Sequence, residues 1–121
     1  PQQDSLAEGD KVTLAVARMI KEDYLIQDGY SNHDAYCPFY KTAWMLRNLV
    51  LFYELASRAV DKSSEKGTTW GHIKQSMRDL LYQLSKMKEQ LPSNGEEYNV
   101  REFKRLNSEV FQAFKMLEEG L

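Results

Sequence analysis

The chain has 121 residues, close to the commonest size of a single domain and long enough to bury roughly two-thirds of its unfolded surface. Sixteen basic residues against eighteen acidic ones leave a net charge of −2, which argues against a nucleic-acid binder, where a basic excess or stripe is the rule. No apolar run approaches the ~18 residues of a membrane-spanning helix, and a lone cysteine, Cys37, makes no internal disulfide, so a reducing compartment such as the cytosol is expected.

Apolar residues at helical spacing set out four elements in chain order. Ser5-Leu6-Ala7-Glu8 fits a capping box, Gly9 interrupts it, and Asp10 fits a second N-cap. From there Val12, Val16, Met19, Ile20 and Tyr24 predict a helix over residues 10–27. The stretch QDGYSNHDAYCPFYK, residues 27–41, has the Gly, Ser, Asn and Asp content of a loop, yet holds four aromatic rings. Pro38 suits a first helical turn, and Phe39, Ala43, Leu46, Leu49, Val50, Phe52, Tyr53, Ala56 and Val60 predict a second helix over 38–61. It is apolar nearly all round between Leu49 and Phe52, which marks it as the central helix.

A polar turn, DKSSEKG, leads to Thr69, a good N-cap. Trp70, Ile73, Met77, Leu80, Leu81, Leu84, Met87 and Leu91 then predict a third helix over 69–91, ended by Pro92-Ser93-Asn94-Gly95. Phe103, Leu106, Val110, Ala113, Phe114 and Leu117 predict a fourth, over 100–118. No segment alternates with period two for more than four residues, and no internal repeat is visible. The expected architecture is all-α: one domain, residues 1–121, folded as a compact bundle of about four helices joined by polar loops.

Catalytic signatures are missing. There is no G-x-x-x-x-G-K-[ST] to cradle phosphates, no G-x-G-x-x-G and no G-x-S-x-G. His33, Asp34 and Cys37 lie close in sequence, but zinc needs three or four ligands and no second cysteine exists, so neither a metal site nor a Cys–His nucleophile is expected. Asp4, Glu8 and Asp10 make the first ten residues purely acidic, either as solvated charges near a helix N-terminus or as a contact for a basic partner. Tyr24, Tyr30, Tyr36, Phe39 and Tyr40 either cover one end of the bundle or present a ring to a flat ligand.

The stretches LAEGDKVTLAVARMIKEDYL, QDGY, DAYCPFYKTAWMLRN and FYELASRAV, in that order, resemble the C-terminal helical domain of the catalytic A subunit of vacuolar-type proton ATPases, in its eukaryotic form. The resemblance covers about residues 5–119. It implies that the chain, which begins at Pro1 without a methionine, is a piece of a longer subunit whose N-terminal barrel and P-loop domain lie outside it. It implies a parent that hydrolyses ATP with Mg and couples this to rotation and proton transport. The implied partners are B subunits, central-stalk subunits and the parent's own nucleotide-binding domain. The implied location is the cytosolic face of vacuolar or other acidic-organelle membranes, without insertion into them.

Two roles follow from the resemblance. Ser5, Leu6, Glu8 and Asp10 align with an acidic helix-turn-helix tip that leans on the rotor in a related beta subunit; Ala7 and Gly9 dilute the charge, so the tip is expected to act by shape as a lever. Tyr30 aligns with a Phe laid against the adenine ring, and Gln27 with a small residue beside it, so both are expected to form an adenine-side wall of the nucleotide site. Tyr36, Phe39 and Tyr40 are expected to cover the core and open the second helix. No catalytic residue, cofactor or metal is assigned within the chain. The rival reading is a stand-alone helical interaction or adaptor module.

Overall fold

Residues 6–25, 38–61 and 67–120 are described by the structure, a computed structural model, and among them every regular element is helical. Helix α1 spans Glu8–Ile20 and runs on as a π-helical turn, Lys21–Leu25. Helix α2 spans Phe39–Ala59, α3 Trp70–Ser76, α4 Arg78–Ser85 and α5 Glu96–Glu118, with 3₁₀ turns at Met87–Glu89 and Pro92–Asn94 between the last two. No described helix is long and apolar enough to cross a membrane.

The all-α expectation holds, with five α-helices among the described residues rather than about four. The expected third helix is divided at Met77, whose φ of −114° and ψ of 32° leave the helical region. The Ser76 hydroxyl, one residue earlier, donates to the His72 carbonyl at 2.8 Å, a back-bond that bends helices. Thr69 caps α3 as expected, accepting from the His72 N–H at 3.1 Å.

Helix α4 stops at Ser85, six residues before the expected end at Leu91. The cause lies in the backbone that follows. The buried Lys41 ammonium donates to the carbonyls of Lys88 and of Gln90, the latter at 2.8 Å, and Asn99 Nδ2 donates to the Leu91 carbonyl at 2.9 Å. Side chains therefore satisfy carbonyls that a continuing helix would have used. Gly95, at φ +95°, turns the chain into α5, which begins at Glu96 rather than Val100. Its first turn, Glu96 and Glu97, is acidic and apolar periodicity cannot reveal it, but carboxylates suit that end of the helix dipole.

Helix α2 is central, as expected, packing against α1, α4, α5 and the Met87–Glu89 turn. Phe52, fully buried, meets Trp70 and Phe114 edge-on, with ring centroids 6.1 and 5.4 Å away. Val12 and Val16 join from α1, Ile73, Leu80 and Leu84 from α3 and α4, and Phe103, Leu106 and Val110 from α5. The inner face of α2 keeps Leu49, Phe52, Ala56 and Val60 of its expected stripe but not the rest. Phe39, Leu46 and Val50 are 84%, 39% and 42% exposed, while Lys41, Met45 and Asn48 are buried. Two apolar stripes lie about a third of a turn apart on this helix, and packing uses the one that contains the polar pair. Phe39 thus does not cover the core.

Candidate functional site

The acidic tip begins at α1. Ala7, not Ser5 or Asp10, is the N-cap residue, and it makes no side-chain capping bond. Its carbonyl instead accepts from the N–H groups of Asp10 and Lys11 at 3.0 and 3.1 Å. Gly9 does not interrupt the helix but lies in its first turn.

Glu8 faces inward. Its Oε1 accepts from the backbone N–H of Trp70, the first residue of α3, at 2.6 Å, and Oε2 accepts from Lys11 Nζ at 2.9 Å. The N-termini of α1 and α3 are thereby joined by one carboxylate, placed where the α3 dipole is positive. A second tie holds α1 to α2. Thr13 Oγ1 donates to the Gly9 carbonyl at 3.1 Å, so the Tyr53 hydroxyl, 3.2 Å away, is the donor to Thr13. Asp10 stays exposed and Leu6 is half-buried, so the charge presented outward by the described tip is Asp10. Ser5 and Asp4 lie outside the described residues.

Gln27 and Tyr30 also lie outside them, with Tyr36 and the His33, Asp34 and Cys37 set. What is described is the pair of roots from which that segment leaves. On the α2 side, Lys41 clasps the 88–90 backbone, and the Tyr40 hydroxyl accepts from Asn99 Nδ2 at 3.0 Å. On the α1 side, Asp23 in the π-helical turn sits near the same linker. Burial pushes its carboxyl above its ordinary value, while the Lys88 charge pulls it back and Glu22 pushes it further up. Both roots rest on the stretch between α4 and α5.

Behind them a polar seam runs through the bundle. Asn48 Nδ2 donates to the Phe103 carbonyl at 3.2 Å and its Oδ1 accepts from Asn107 Nδ2 at 3.0 Å, so α2 and α5 are keyed at one register. Asn99 Oδ1 is buried without a hydrogen-bond partner. Sequence reading missed Lys41, Asn48, Asn99 and Asn107. The available signal was register: Asn99 stands four residues before Phe103 on the buried α5 stripe, and Lys41, Met45, Asn48 and Phe52 recur at helical spacing.

Among the described residues no group of His, Cys, Asp and Glu is placed to hold a metal; Ser76 Oγ lies 3.4 Å from His72 Nε2 on the exposed face of α3, but that hydroxyl donates to the His72 carbonyl. The described features are a tip tied to α3 through Glu8 and two loop roots anchored on the stretch between α4 and α5.

A family model described as the C-terminal domain of V and A type ATP synthase matches residues 3–68. Three curated relatives are catalytic A subunits of V-type proton ATPases. The Caenorhabditis elegans protein is 48% identical over 118 residues, covering 95% of this chain and 20% of the relative. The Dictyostelium discoideum protein is 42% identical over 114 residues, covering 93% and 18%, and the Beta vulgaris protein 42% over 120 residues, covering 97% and 19%. The chain thus spans about a fifth of the length of the curated relatives it matches.

Proposed function

The chain belongs to the family of C-terminal domains of V- and A-type ATP synthases, and from that premise we propose that it serves as the helical domain of an ATP-hydrolysing A subunit in a rotary proton pump. In this reading it is one domain of a longer subunit. The phosphate-binding machinery lies in the rest of the parent, together with the ATP and Mg that it would bind. The partners are B subunits, central-stalk subunits and the parent's nucleotide-binding domain, on the cytosolic side of an acidic organelle's membrane.

The domain has two tasks. Leu6, Glu8 and Asp10, with Ser5, form the tip that leans on the central stalk. Tyr30, with Gln27, forms a wall against the adenine. The observation that carries the first task is the Glu8 carboxylate bridging Lys11 and the Trp70 N–H. A lever transmits force only when its tip is stiffly joined to its body, and this bridge joins them. Glu8 therefore acts as a brace, and Asp10 and Leu6 are the residues that meet the stalk.

The second task is supported by the anchoring of both loop roots on the 86–91 linker, since a stacking ring needs a fixed base. Its test is kinetic, in the complete ATPase. Tyr30→Ala is expected to raise KM for ATP about 5- to 150-fold, the equivalent of ~1–3 kcal/mol of stacking, with a smaller fall in kcat. Tyr30→Phe keeps the ring face and is expected to be nearly silent. An unchanged KM in Tyr30→Ala overturns the adenine-wall role.

A further inference from the structure

Beside the tip, a groove of about 490 Å³ runs between α1 and the α3–α4 pair. Leu14, Ala15 and Met19 of α1 and Leu81 of α4 give it an apolar floor, and Leu14 is 46% exposed. Its rim is cationic: Lys11, Arg18 and Lys74 line it, and among the described residues no Asp or Glu does. Lys11 is already paired with Glu8 at 2.9 Å. Arg18 and Lys74 are exposed and their side chains have no ion pair or hydrogen bond among the described residues. In a chain whose net charge is −2 this is a local excess, not a general one.

An apolar floor with unpaired cations on its rim selects for the opposite arrangement in a ligand: apolar anchors flanked by carboxylates. Two free cations make no stripe along which a nucleic-acid backbone could run. The walls are helices, whose backbone groups are internally bonded, so an added strand has no edge to pair with. The volume lies within the ~300–1,000 Å³ of ordinary ligand sites, and a helix fills such a groove with anchors one turn apart.

We propose that the α1/α3–α4 groove docks an acidic amphipathic helix of a partner protein, with its apolar stripe on Leu14, Met19 and Leu81 and its carboxylates on Arg18 and Lys74. The proposal does not depend on the lever reading, although Leu6 and Lys11 adjoin both the tip and the groove.

The test uses two synthetic helical peptides with leucine at positions i, i+3, i+4 and i+7, one carrying glutamate and the other lysine at the remaining charged positions. Each is titrated into the isotope-labelled 121-residue chain and followed by amide NMR shifts. The glutamate peptide is expected to shift α1 and α4 amides around Leu14 and Leu81, and to bind at least tenfold more tightly than the lysine peptide. The Arg18→Glu/Lys74→Glu double variant, at exposed positions that leave the fold intact, is expected to reverse that preference. Arg101→Glu, on exposed α5 surface, leaves it unchanged. Equal binding of both peptides, or a preference untouched by the double reversal, overturns the proposal. So does a chain that ignores both peptides and instead binds phosphatidylserine vesicles.

Discussion

Lys41 brings a charge into the interior, with 1% of its surface exposed, and the backbone beside it explains why that is tolerated. Desolvating an ammonium costs several kcal/mol unless its protons find acceptors, and the Lys88 and Gln90 carbonyls supply them. The same bonds stop α4 from continuing. Lys41→Met is expected to lower folding stability by about 1.5–3 kcal/mol, the range for a hydrogen bond to a charged group, read as a lower urea midpoint with unchanged slope. A midpoint equal to that of the parent would mean that the clasp contributes nothing. Asp23 behaves oppositely. Its carboxyl lies above its ordinary value chiefly through burial, so the folded state holds that proton more tightly than the unfolded state does. Stability contributed by the protonated form is then lost as pH rises through the raised value. Asp23→Asn, which imitates the protonated acid, is expected to stabilise the fold at pH 7. The gain shrinks as pH falls through the carboxylate range and is gone below about pH 3.9, the unfolded value. A gain that persists in acid, or a loss at neutral pH, would show that the Lys88 attraction outweighs burial.

At the scale of the elements, the stripes of α1, α3, α4 and α5 are legible in the sequence because their apolar residues share one face and little competes with them. Thr69 is legible for the same reason, as a polar residue directly before a stripe. Helix α2 is legible only in part, through Leu49, Phe52, Ala56 and Val60, because it carries two apolar stripes. Choosing the buried one requires knowing that Lys88, Gln90, Phe103 and Asn107, up to 59 residues away in sequence, will meet Lys41 and Asn48. The brace at Glu8 is hidden likewise, since its Trp70 partner is 62 residues distant. Local spacing carries no information on such bonds. Two glycines separate the local and tertiary contributions experimentally. Gly95 sits at φ +95° and ψ 143°, so Gly95→Ala is expected to cost about 1–3 kcal/mol although no atom crowds the new methyl. Gly9 lies in the first turn of α1 with nothing within 4 Å of an added Cβ, so Gly9→Ala is expected to stabilise by up to about 1 kcal/mol. Thermal unfolding of both variants checks the pair, and a destabilised Gly9→Ala would show that α1 does not begin where the structure starts it.

For the whole molecule, α2 forms an axis with α1 on one side and α5 on another, and the ties at Glu8 and at Thr13–Tyr53 hold α1 to this body at its N-terminal end. Movement of the body is then movement of the tip. Of the candidate site, the acidic stretch at the start of α1 was legible, but the different settings of its carboxylates were not: Glu8 faces the domain's own α3, and Asp10 faces outward. Gln27, Tyr30 and Ser5 lie outside the described residues. The central claim is that the braced tip bears on the central stalk. The most direct measurement is cross-linking from a single cysteine at Asp10, by Asp10→Cys in the assembled ATPase, an exposed position whose replacement leaves the Glu8 brace in place. Capture of a central-stalk subunit, lost when the brace is removed by Glu8→Ala, is the predicted result; capture of neighbouring A or B subunits alone would contradict it.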